Sequence, residues 1–336
     1  MATTYDFIAQ NKRRTWLLVL LFPITFVLLA YVFLLGYSAL DIPTDSTSQD
    51  YYAEQTYAQT PVDRANEMAI RVLPWVWLAA MAWIVVSYLT GDQMLLSGAG
   101  AVKVSRRSQP ELYRLVENLC ISVGLPVPQI YIINDDSLNA FATGRDPEHA
   151  SIALTKGIVQ KLDRVELEGV IAHELSHIRN RDIRLMLITV AGISFCTFFA
   201  ELCFRAALKT RRSSSKKDDS GGRLLLLAIG LFFAIYGYLV APLIRLAVSR
   251  TREYQADASA ALLTRNPGAL ASALKKITKD PRVEVLDSHA SMSAMCIANP
   301  LGKSGLFAWL AGLWATHPPT EKRIAALLEM DKDVVK

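Results

Sequence analysis

The chain has 336 residues, 52% of them apolar and 20% charged, and its 36 Lys and Arg against 31 Asp and Glu give a formal net charge of +5. Apolar residues this frequent, gathered in blocks, exclude a disordered chain and a simple soluble globule. The slight basic excess requires no polyanion partner, and no nucleic-acid binding is expected; in a membrane protein such an excess reports topology.

From the N-terminus, the first apolar run covers residues 15–40 and the second residues 72–91, neither with a charge. Both reach the length of about 20 residues that crosses a bilayer as a helix. A cleavable signal peptide has an apolar core of about 7–15 residues followed by a small-x-small site. The first run is longer and no such site follows, so a retained anchor is expected. Lys12, Arg13 and Arg14 precede the first run, and Lys103, Arg106 and Arg107 follow the second; the loop of residues 41–71 holds only Arg64 and Arg71 as basic groups. That asymmetry places both ends of the hairpin on the cytoplasmic side.

Residues 108–156 read as a water-facing domain. Pro110 opens an amphipathic helix through Leu112, Leu115, Val116 and Leu119, as suits proline in a first turn. Short strand-like runs follow at 129–133, 140–143 and 150–154, with turn residues between them, and a small sheet is expected. Asp163 followed by Glu166 has capping-box spacing, so a helix should start there.

That helix carries His173-Glu174-Leu175-Ser176-His177. Residues four apart share one helix face about 6 Å apart, so the two imidazoles can hold one ion. Glu174 lies about 100° around the helix, close enough to reach a metal-activated water without occupying the metal. This division suits hydrolysis: zinc lowers the water pKa to about 7 and the carboxylate takes and returns the proton.

The third apolar run, 185–204, is interrupted by Glu201, and the fourth covers 224–244 without a charge. Residues 211–222 between them are linker-like and basic, which conflicts with placing that loop outside; the pair either crosses fully or dips and returns. Either way the chain comes back to its starting side. Helices are expected over 249–263 and 267–277, and a last one opening at Pro319 with Ile324, Leu327 and Leu328. A catalytic zinc usually takes a third protein ligand. Glu253 and Asp257 share one face of the helix over 249–263, so one could bind the metal while the other orients an imidazole. Cys120, Cys196, Cys203 and Cys296 show no CxxC spacing, against a disulfide framework or thiolate zinc site.

Taken in order, the Asn139–Gly144 segment, the HExxH helix, the apolar insertion, Ser249 to Asp257 and His317-Pro318-Pro319 resemble the HtpX-like integral-membrane zinc metalloproteases, with the CAAX prenyl proteases more distant. The resemblance runs from about Pro110 to the C-terminus. It implies an α+β, mainly α-helical integral membrane protein with about four hydrophobic helices and a zincin-like domain bearing a small sheet. It implies one zinc ion held by His173, His177 and Glu253, with Glu174 as general base and acid. Asp257 would steady the first histidine. Asp182 would support the end of the motif helix or form a surface ion pair. Asn139, Ala140, Phe141, Ala142, Thr143 and Gly144 would form an edge strand to which substrate adds. His317 would donate to the oxyanion, or be structural.

The expected organisation is a membrane hairpin with an external loop (1–95), a first half of the protease domain (96–182), an apolar hairpin (183–248) and a second half (249–336). The expected function is an endopeptidase of the bacterial inner membrane with its site facing the cytoplasm, acting on misfolded or damaged membrane proteins. The alternatives are a prenyl-protein protease and a non-catalytic zinc-binding assembly factor. The expected partners are protein substrates and the lipid bilayer; an oligomer is left open.

Overall fold

The computed structural model describes residues 4–40, 60–213, 220–247, 250–279, 296–297 and 318–334. It divides into two compact units, one of residues 1–16, 86–195 and 237–336 and one of residues 17–85 and 196–236.

The second unit is built from stretches of long apolar helices: α1 (Thr4–Leu40), α2 (Pro61–Gly98), α6 (Asp182–Ser213) and α7 (Ser220–Ala247). Among the described residues, α1, α2 and α6 carry runs long and apolar enough to cross a membrane, while the apolar run found in α7 is the shorter Leu224–Gly237. Glu201, the charge that interrupts the third run, is exposed on α6 and pairs with Arg205 one turn on. The loop expected to reach residue 71 ends sooner. Pro61 at the first turn and reciprocal bonds between Thr60 and Asp63 start α2 eleven residues before the apolar run, so Arg64 and Arg71 are helical. Inside this unit the Tyr236 hydroxyl donates to the Phe22 carbonyl at 3.0 Å and meets Thr25 Oγ1 at 2.9 Å, so its buried polar atom is satisfied.

In the first unit the expected small sheet has one strand more than the sequence reading anticipated. Its order is β1 (Ala101–Lys103), β2 (Gln129–Ile133), β4 (Ala150–Thr155), β3 (Ala140–Gly144). β2 and β4 run parallel, and the two outer strands are antiparallel to their neighbours. Three-residue β1 is too short and too exposed to show an alternating pattern. The helices are α3 (Pro110–Val123), α4 (Lys156–Lys161), α5 (Arg164–Arg179), α8 (Arg250–Thr264), α9 (Pro267–Ile277) and α10 (Thr320–Val334).

Helix α5 is the centre of this unit. Asp163 Oδ1 accepts from Glu166 N at 2.9 Å and Glu166 Oε2 accepts from Asp163 N at 3.0 Å, the reciprocal cap the spacing predicts. Val170, Ile171, Leu175 and Ile178 then share one buried core with Leu270, Leu274 and Ile277 of α9 and Ile152 and Leu154 of β4. A Cβ on Gly169 would come within 3.2 Å of Leu270, so glycine allows the close approach of α5 and α9. Asn180 caps the far end and Arg181, at φ 60°, turns the chain into α6. That turn places Asp182 under the last turn of α5.

Candidate metal centre

His173, Glu174 and Glu253 are 1–2% exposed, and the His177 side chain keeps 14% of its surface. Burying so many ionisable groups is costly unless they are paired or hold a cation. His173, His177 and Glu253 each turn one ligand atom to a common point, all within 4.8 Å of one another. The two Nε2 atoms are 3.2 Å apart, and they lie 3.8 Å and 3.6 Å from the Glu253 oxygens. Tetrahedral zinc bonds of about 2.0–2.1 Å set ligand atoms about 3.3–3.4 Å apart. The spacing and the two-nitrogen, one-oxygen donor set both fit that ion.

Each imidazole is backed on its other nitrogen by an aspartate. His173 Nδ1 lies 3.0 Å from Asp257 Oδ1, near enough for charge pairing though out of line for a hydrogen bond. His177 Nδ1 meets Asp182 Oδ2 at 2.9 Å. Asp182 is therefore no surface ion pair: it is 3% exposed, and its carboxylate faces the ring of the second histidine. Asp257, also 3% exposed, lies behind the first.

Behind each aspartate stands an arginine that sequence reasoning missed. Arg323 on α10, 1% exposed, donates Nε and Nη2 to the two Asp257 oxygens at 2.8 and 2.7 Å. Its Nη1 lies 3.5 Å from Glu253 Oε2 and donates to the Ile297 carbonyl at 3.2 Å, and Nη2 comes to 3.4 Å from His173 Nε2. Arg252, one residue before Glu253, donates to Asp182 Oδ1 at 2.8 Å. The available signal for Arg323 was its place, one residue before Ile324, on the apolar side of a terminal helix.

Burial pushes the Glu174 carboxyl up and Glu253 adds to this, against the pull of His173, His177 and Arg323, so it stays above the ordinary carboxylate range. Burial opposes charge on His177, but the bond to Asp182 and the charges of Glu253, Asp182 and Glu174 outweigh it and bring a free imidazole there to about 9. Burial would raise Asp257, and the Arg323 hydrogen bonds and charge reverse that and hold it low.

β3 is an edge of the sheet, as expected for residues 139–144, but part of that edge is in use. The Ala140 carbonyl accepts from Ile297 N at 2.9 Å and the Ala140 N–H donates to Asn139 Oδ1 at 3.0 Å. Antiparallel alternation leaves the Ala142 N–H and carbonyl as the next outward pair. His317, the expected oxyanion donor, lies outside the described residues, as does His289. His149 is on the surface, bonded to Asp146 at 2.6 Å. None of the four cysteines forms a disulfide, and all are buried.

The pattern of peptidase family M48 matches residues 106–331, well over half of the chain. The chain belongs to peptidase family M48. This M48 chain is 40% identical over 321 residues to a Protease HtpX homolog of Bacteroides fragilis (strain YCH46), covering 95% of this chain and 96% of that one. It is 42% identical to one from Tropheryma whipplei (strain TW08/27), over 76% and 84% of the two chains. Against one from Caldanaerobacter subterraneus subsp. tengcongensis the identity is 36%, over 97% of each. Among solved structures, S. mikatae Ste24p is similar with a TM-score of 0.45 and 20% identity, covering 78% of this chain and 60% of that one. With its apolar helices, this M48 chain is a membrane-bound metalloprotease.

Proposed function

We propose that the chain is a zinc-dependent endopeptidase of the bacterial inner membrane, with its site facing the cytoplasm, that cuts misfolded or damaged membrane proteins. One observation carries the reading: two imidazoles and a carboxylate at mutual ligand spacing, with the buried carboxyl of Glu174 beside them. His173, His177 and Glu253 hold the ion, and Asp257 and Asp182 orient the imidazoles through their other nitrogens. Zinc bound there supplies a Lewis acid that brings the pKa of water near to 7.

Glu174 takes the proton of the attacking water and delivers it to the leaving amine; a carboxyl raised by burial is the stronger base for the first step. The substrate lies as an added strand along β3, pairing from Ala142 onward because Ala140 is bonded elsewhere. Main-chain pairing of this kind favours low sequence specificity. His317 is carried over from the resemblance as a donor to the oxyanion. The cytoplasmic side is supported by Lys12, Arg13 and Arg14 before α1 turns apolar and by Lys103, Arg106 and Arg107 after α2. The quality-control role rests on the HtpX resemblance.

The test is cleavage of casein, and of the chain itself, by detergent-purified protein with its metal content measured in parallel. Glu174→Gln is expected to keep the metal and lose cleavage, a loss of at least about 100-fold for a general base. His177→Ala is expected to lose both. Wild-type cleavage by Glu174→Gln would overturn the reading and favour a zinc-holding assembly factor.

A further inference from the structure

Asp182 has a third partner, which belongs to neither the motif helix nor α8. Asn11, near the start of α1 and 1% exposed, donates Nδ2 to Asp182 Oδ1 at 2.7 Å and to the Asn180 carbonyl at 2.8 Å. Both partners are acceptors, so the amide must present its NH2 here and both hydrogens are used. In the chain the residues are 171 and 169 positions apart, so this is a tertiary contact and not a local cap.

The two acceptors flank one turn. Asn180 ends the helix that carries His173, Glu174 and His177, and Arg181 at φ 60° leads into Asp182. Asn11 therefore holds a helix-end carbonyl and, two residues on, the carboxylate behind His177. Asp182 presents Oδ2 to His177 while Oδ1 is held by Asn11 and Arg252. Pinning one oxygen fixes the direction of the other, and so the plane and tautomer of the imidazole.

We infer that Asn11 is a positioning residue of the metal centre, through which the start of the first apolar helix sets the orientation of His177. The inference rests on the zinc site proposed above. It gives α1 a role besides anchorage, because an asparagine one residue before Lys12-Arg13-Arg14 reaches the support of the second histidine.

The test uses the full chain in detergent, with zinc affinity read by chelator competition and ligand geometry by the visible spectrum of the cobalt-loaded protein. Asn11→Leu has similar bulk and no donor; Asn11→Ala serves if the leucine variant does not fold. Thr25→Val, on the same helix but bonded to Tyr236, controls for loosening of α1. At a temperature where circular dichroism shows every metal-free protein folded, Asn11→Leu is expected to bind zinc about 10–100-fold more weakly, with shifted cobalt bands. Thr25→Val should match wild type in both. Asn11 variants that hold zinc as tightly as wild type, with the same cobalt bands, overturn the inference. So does an equal loss in Thr25→Val. If wild type takes up no zinc, or His177→Ala retains it, the zinc site itself fails and takes the inference with it.

Discussion

The two sides of the metal centre are built alike and supported differently. On each, an imidazole is backed by an aspartate and the aspartate by an arginine. On the His173 side, among the described residues, Asp257 meets one bidentate guanidinium, Arg323, which also approaches the carboxylate of Glu253. On the His177 side Asp182 is shared among His177, Arg252 and Asn11, each from a different element. Among the described residues, Asp257 on the first side has one guanidinium as its support. The second spreads the same work over several donors and keeps some solvent access. Charge burial of equal depth thus yields unequal fragility, decided by the number of independent donors.

Arg323→Met would break the comparison most severely. Removing a buried cation strips Asp257 of its bidentate partner, and a loss of about 3–5 kcal/mol is expected in denaturant unfolding of the detergent-purified protein. Arg252→Met should cost less, about 1.5–3 kcal/mol in the same experiment, since Asp182 keeps Asn11. Equal losses would remove the asymmetry. Asp257→Asn and Asp182→Asn sharpen the comparison from the metal side: each is expected to weaken zinc binding about 10–100-fold in a chelator titration.

The smallest effect lies at the start of α5, away from the metal. Burial would raise Glu166, but bonds from Lys276 at 2.6 Å, from Ser272 at 2.7 Å and from the Asp163 N–H hold it low. A depressed carboxyl contributes stability above its unfolded pKa and loses it as pH falls through the folded value. Lys276 is 43% exposed, so Lys276→Met should cost at most about 1 kcal/mol at neutral pH. The difference from wild type should shrink as the pH is lowered into the acid range, measured by unfolding at both pH values.

Much of this site is legible from local spacing. The capping box at Asp163 and Glu166 announces where α5 begins, and the four-residue interval between His173 and His177 puts both rings on one face whatever the rest of the chain does. Glu253 and Asp257 share a face for the same reason, but spacing leaves open which of them turns to the metal. Asp182 shows the limit more sharply. As a residue five positions past His177 it reads equally as a surface ion pair, and only the turn at Arg181 brings it under the ring.

What the sequence determined by itself is whatever repeats over a few residues: the apolar runs, the caps, and the face on which a histidine lies. Tertiary structure alone decided the pairings across tens to hundreds of residues, Arg323 to Asp257, Asn11 to Asp182 and Ile297 to Ala140. Helix periodicity is set by backbone hydrogen bonds between near neighbours, so it is written locally. A buried charge chooses its partner from whichever helices pack beside it, and that choice exists only once the core of α5, α9 and the sheet has formed.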